Sequence, residues 1–130
     1  MYNSKNRFKG KLTVHIILVT KYCKQILSRN ILKLIYQIVQ DVANDMNSIV
    51  ESINGDKDHI HILICYPPTI SIDSLVKQMK QITTYICWQK HEKYLSQFYF
   101  KQHILWTDGY FASSTGQISN DIVKQYIENQ

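Results

Sequence analysis

The sequence predicts an α+β domain, an antiparallel sheet backed by helices, with elements in the order β-α-β-β-α-β and a further helix near the C-terminus. Three observations predict it. Two long stretches carry apolar residues at helical spacing, and they alternate with short runs rich in β-branched residues. The pair Asn54-Gly55 stands between two such runs and marks a hairpin. The length, 130 residues, suits one domain with one core.

The first run, "KLTVHIILVT", reads as a strand that is apolar on both faces. From Ser28, a plausible cap, the residues Ile31, Leu34, Ile35, Ile38, Val42 and Met46 recur along one helical stripe. "SIVESI" is a short strand, Asn54-Gly55 turns the chain, and "DHIHILICY" is the returning strand until Pro67-Pro68 stops it. Ile72, Leu75, Val76, Met79, Ile82 and Ile86 line a second helix from Ser71 to about Lys90. The segment from His91 to Trp106 carries no clear period. "GYFASST" reads as a fourth strand entered by Asp108-Gly109. Ser119 and Asn120 suit the cap of a last helix, "NDIVKQYIENQ". The first six elements match the split βαβ arrangement of ferredoxin-like and RNA-recognition-like folds. In that topology the "DHIHILICY" strand lies mid-sheet beside the first strand, which accounts for its two apolar faces.

The composition bounds the function. No apolar run reaches membrane-spanning length, and the N-terminus lacks a signal-peptide pattern, so a cytoplasmic protein is expected. Cys23, Cys65 and Cys87 are odd in number, far apart and form no CxxC pair, so they read as three reduced thiols. The net charge of +5 suits a polyanionic partner. Lys5, Arg7, Lys9, Lys11, Lys21, Lys24, Arg29 and Lys33 crowd the first third, with Tyr2, Phe8 and Tyr22 among them. Cations interleaved with aromatics suit single-stranded nucleic acid, whose phosphates need charge and whose bases need flat partners. A merely solvated basic face explains the same charges.

Two places carry candidate chemistry. Side chains alternate along a strand, so His59 and His61 share a face, with Cα atoms roughly 7 Å apart. Both imidazoles reach one metal ion from there. Two hydrogen-bonded core histidines fit the same pattern, and Asp58 is placed to orient a ring. In "KQYIENQ", Tyr126 and Gln130 are one helical turn apart on one face. A phenol can attack phosphorus and form a phosphotyrosine, although its ordinary pKa near 10 is too high for attack at neutral pH without help. A metal gives that help, and Gln130 offers an amide oxygen to it. Tyr126 is also one of nine tyrosines and suits plain packing of an amphipathic helix.

Taken together, "VHIILVTKY", "DKDHIHILI", "LWTDGYFASSTG" and "VKQYIENQ", in that order over nearly the whole chain, resemble the single-tyrosine HUH transposases of the IS200/IS605 family. The resemblance implies one transposase domain over residues 1–130, with 117–130 as a C-terminal catalytic helix. It implies a prokaryotic homodimer that binds single-stranded DNA hairpins at the ends of a mobile element and cuts and rejoins the strand. His59, His61 and Gln130 would be the metal ligands and Tyr126 the nucleophile that takes the 5′-phosphate. Mg²⁺ is the expected ion, with Mn²⁺ able to substitute. Ser113 to Gly116 would be a joint that lets the tyrosine helix complete the partner's site. Related proteins commonly continue beyond this helix, whereas here the implied third ligand, Gln130, would be the last residue of a fraying helix end. Lys21, Lys24 and Lys80 are candidate phosphate contacts.

Four other readings compete. A histidine triad needs a third histidine where Leu63 stands, and a two-histidine phosphoesterase needs two His-x-Thr motifs that are absent. A ferredoxin-like nucleic-acid-binding module would need neither metal nor Tyr126. A domesticated relative acting on host repeat hairpins would share every motif.

Overall fold

The structure is a computed structural model that describes residues 12–114 and 118–130. Strand β1 (Leu12–Val19) leads through a short 3₁₀ turn (Lys21–Cys23) to helix α1 (Arg29–Asp45). Strands β2 (Ile49–Gly55) and β3 (His59–Tyr66) follow, then helix α2 (Ile72–Tyr99), strand β4 (Phe111–Ser113) and helix α3 (Asn120–Glu128). The sheet order is β2-β3-β1-β4, antiparallel throughout. This is the expected α+β topology, with β3 paired on both sides.

Alternation along β1 and β3 divides the sheet into two unlike faces. Val14, Ile16 and Leu18 of β1 and Ile60, Ile62 and Ile64 of β3 enter the core cluster with the helices. Ile60, Ile62 and Ile64 are fully buried there. Helix α1 contributes Ile31, Ile35, Ile38, Val39, Val42 and Ala43, and Ser28 caps it by accepting from the Ile31 amide. Helix α2 contributes Leu75, Val76 and Met79, with Ser71 as its cap and Asp73 favourably placed near the positive end of the dipole. The opposite face carries His15, His59 and His61.

Two expectations need correction. The hairpin forms, but its reversal is not at Asn54-Gly55. Strand β2 continues through Gly55, which pairs with Ile60. The chain turns over Lys57 and Asp58, closed by the Asp56 amide donating to the His59 carbonyl at 3.0 Å. Gly55 serves packing instead. A Cβ there would lie 2.9 Å from Leu32 Cδ2 and 3.1 Å from the Tyr36 hydroxyl, so glycine lets α1 approach the strand. Helix α2 does not end near Lys90 but reaches Tyr99, with a break in helical geometry at His91 (φ −131°, ψ 36°). The polar run Gln89 to Lys93 hides the apolar period, which resumes at Leu95 and Tyr99, both buried. The last helix starts at Asn120 with Ser119 as its cap, where the sequence places it.

Tyr2, Lys5, Arg7, Phe8, Lys9 and Lys11 of the basic stretch lie outside the described residues, as do Thr115 and Gly116 of the expected joint. Among the described residues, no helix is long and apolar enough to cross a membrane. Neither Cys23, Cys65 nor Cys87 is in a disulfide, and burial pushes the Cys87 thiol up to about 12, which makes it inert.

Candidate active site

Strand β3 holds its two histidines by different means. His59 Nδ1 lies 2.9 Å from Asp58 Oδ1, so the carboxylate fixes the ring. His61 Nε2 lies 2.9 Å from His15 Nδ1 on β1. The two rings are tilted by 40° with centroids 5.1 Å apart. Burial lowers the pKa of His61, and the neighbouring His15 and His59 charges lower it further. His61 is therefore neutral at pH 7, the form that binds a metal.

The sequence reading missed His15. It is 8 % exposed, and its Nε2 is buried with no hydrogen-bond partner among the described residues. Its signal was present: a lone imidazole within "KLTVHIILVT" is as costly as the pair in β3. The pairing register, Ile17 with His61 and His15 with Leu63, sets His15 diagonally across from His61 on the same face.

Register also carries this face to the tyrosine. Ile17 stands opposite His61 on one side and opposite Phe111 of β4 on the other. Directly opposed residues share a face, so Phe111 and His61 do too. The Phe111 and Tyr126 rings have centroids 5.6 Å apart at 53°. Helix α3 thus lies on the histidine side of the sheet. A second contact is Cys23 Sγ, 3.8 Å from the Ile127 carbonyl. Burial raises the Tyr126 pKa, so its phenol is protonated at neutral pH and needs help to attack. Phe111 was another residue the sequence did not single out.

Gln130 lies past the end of α3 and is exposed. Its Nε2 donates to the Tyr126 carbonyl at 3.1 Å, which leaves Oε1 as an acceptor. Among the described residues, no group of three or more His, Cys, Asp or Glu side chains is placed to hold a metal. The donor set the sequence offers is the imidazoles of His59 and His61 and the amide oxygen of Gln130. It fits a divalent cation only as an incomplete set, one that oxygen donors from substrate and water would finish.

The family profile of IS200-like transposases matches residues 8–130. The chain belongs to that family. Its fold matches the 1.90 Å crystal structure of a protein regarded as a transposase from Deinococcus radiodurans R1. That match has a TM-score of 0.84 and 25 % identity, over 95 % of this chain and 93 % of that one. A structure of the REP-associated tyrosine transposase bound to a REP hairpin shares the fold, with a TM-score of 0.59 and 11 % identity over 89 % of this chain and 62 % of that one. No curated protein sequence matches significantly.

The three lysines of this transposase have separate surroundings. Lys80 donates to the carbonyls of Thr107, Asp108 and Gly109 at 2.6, 3.0 and 2.9 Å. Its ammonium protons are engaged in holding that loop, and burial lowers its pKa. Lys21 pairs with Asp108 at 3.4 Å and sits 5.5 Å above the Tyr22 ring. Lys24 is exposed.

Proposed function

We propose that this chain is a DNA transposase that binds single-stranded hairpins at mobile-element ends and cuts and rejoins the strand through Tyr126. The observation that carries the reading is the shared face: His59 and His61, fixed by Asp58 and His15, lie on the side of the sheet where Tyr126 rests on Phe111. The fold neighbour bound to a REP hairpin supports hairpin DNA as the substrate class.

In the proposed step the Tyr126 hydroxyl oxygen attacks phosphorus. A tyrosine–phosphate bond forms as the bond from phosphorus to the 3′-oxygen breaks. The phenol proton passes to water, and the departing 3′-oxygen takes a proton from water to become a hydroxyl. Rejoining is the reverse with another 3′-hydroxyl, so the phosphodiester energy is kept and no nucleotide cofactor is needed. His59, His61 and the Gln130 amide oxygen would hold a divalent cation, Mg²⁺ or Mn²⁺. When bound, it supplies positive charge to the phosphodiester and helps the phenol ionise. A homodimer, with the tyrosine helix serving either its own or the partner's histidines, accords with the thin attachment of α3.

The test is incubation of the protein with labelled hairpin DNA and Mg²⁺ or Mn²⁺, resolved on a denaturing gel. A covalent adduct is expected from the wild type and none from Tyr126→Phe. His59→Ala and His61→Ala are expected to lose at least a hundredfold in cleavage, and chelation to stop it. An adduct from Tyr126→Phe would remove Tyr126 as nucleophile. Tight hairpin binding without any cleavage would make the chain a binding module.

A further inference from the structure

Helix α2 ends in a tight turn over Tyr99, Phe100, Lys101 and Gln102, closed by the Gln102 amide donating to the Tyr99 carbonyl at 3.1 Å. Phe100 has φ 56° and ψ −121°, the first central position of a type II′ turn, where glycine is favoured. A bulky residue is strained there. Burial does not compensate, since Phe100 is 77 % exposed. Folding alone would select glycine.

A second strained aromatic lies close by. Tyr22 (φ 61°) and Cys23 (φ 52°) are both left-handed, and Tyr22 is 66 % exposed. Three of the four left-handed residues other than glycine among the described residues are therefore Tyr22, Cys23 and Phe100. Tyr99 ties the two segments together: its hydroxyl donates to the Lys21 carbonyl at 2.8 Å, and its ring centroid is 6.5 Å from that of Tyr22. Tyr22 and Phe100 line one open groove of about 1020 Å³ with Lys24, Lys101 and the acidic Glu92. Cys23, beside Tyr22, touches the carbonyl of Ile127, the residue after Tyr126.

Resting on the transposase reading, we propose that this groove is a stacking site for unpaired bases of the single-stranded DNA that leads to Tyr126. Exposed rings give sequence-tolerant platforms, and Lys24 and Lys101 outweigh Glu92 in charge and suit the intervening phosphates. Strain is held at the two rings that gain only when a ligand covers them.

The test compares wild type, Tyr22→Ala and Phe100→Gly. Binding of a dye-labelled oligothymidylate is read by fluorescence anisotropy, and folding by thermal melting. Each substitution is expected to weaken oligonucleotide binding about tenfold or more. Phe100→Gly is expected at the same time to raise Tm by a few degrees as strain is released. Lys24→Ala and Lys101→Ala should each reduce the salt-dependence slope by about 0.7. Tyr22→Trp should retain binding and show quenching when a base stacks on it. Wild-type affinity in both Tyr22→Ala and Phe100→Gly would overturn the groove, whatever the adduct assay gives. Wild type that binds and loses affinity on these substitutions, yet forms no adduct, would leave the groove standing and overturn the catalytic reading.

Discussion

Strand β3 and helix α3 carry the two halves of the candidate site, and they are held very differently. β3 is paired on both sides, and three of its residues are fully buried under the helices. Helix α3 spans nine residues and buries none of them. Its attachments include the Phe111–Tyr126 ring contact and the Cys23 thiol on the Ile127 carbonyl. A helix so short is marginal on its own. The difference teaches that the imidazoles are preorganised while the phenol is delivered by an element that can leave at little cost. Under the proposed function such a division would suit a reaction with two strands to cut and two ends to exchange, because the tyrosine would carry one end away from the fixed histidines.

The largest effect expected from this comparison is on stability. Ile62→Ala in β3 removes a fully buried side chain of the core and should cost about 2–5 kcal/mol. Tyr126→Ala removes one half-exposed aromatic contact and should cost about 1 kcal/mol while abolishing the adduct. Urea unfolding of the two variants measures both. Equal destabilisation would mean that α3 belongs to the cooperative core, and the picture of a lightly held half would fail.

Legibility followed the same division. The stripe Ile31, Ile35, Ile38 and Val42 and the caps Ser28 and Ser119 were readable because helix period and capping are local properties. The position of His59 and His61 on one face of a central strand followed from alternation and topology. The turn at Lys57-Asp58 did not, because Gly55 is there for the approach of Leu32 and Tyr36, a contact between elements far apart in sequence. The last turns of α2 were hidden by the polar residues around His91. His15 and Phe111 became part of the site only through strand register. Register is set by pairing across the sheet, which no single segment records. Phe100 is the reverse case, since local preference there asks for glycine and the chain supplies phenylalanine.

A smaller effect tests how firmly β3 is preorganised. Asp58→Asn keeps the size of the His59 partner and removes its charge. It should weaken Mn²⁺ binding about tenfold to a hundredfold, read as free Mn²⁺ by electron paramagnetic resonance, with little change in melting. Unchanged affinity would mean that the Asp58–His59 contact, at 2.9 Å, only closes the hairpin.

The smallest effect is in pH dependence, and its sign follows from His61. Burial, then the charges of His15 and His59, hold its pKa below the ordinary value of 6.5 in the folded state. Between the folded value and 6.5 the unfolded chain binds more protons at this residue, so acid favours unfolding. The contribution of His61 is thus fully present above pH 6.5 and is lost as pH falls through the lower, folded value. His61→Gln removes the titration but keeps a polar side chain diagonally across from His15. Urea midpoints at pH 7.5, 6.5 and 5.5 should fall more steeply in the wild type than in the variant. The same protonation removes the lone pair that a cation needs, so Mn²⁺ should raise the wild-type midpoint at pH 7.5 and progressively less toward pH 5.5, and should move the variant little at any pH. Parallel slopes in the two proteins would show that His61 is solvated and unstrained, and would take the preorganised half out of the comparison.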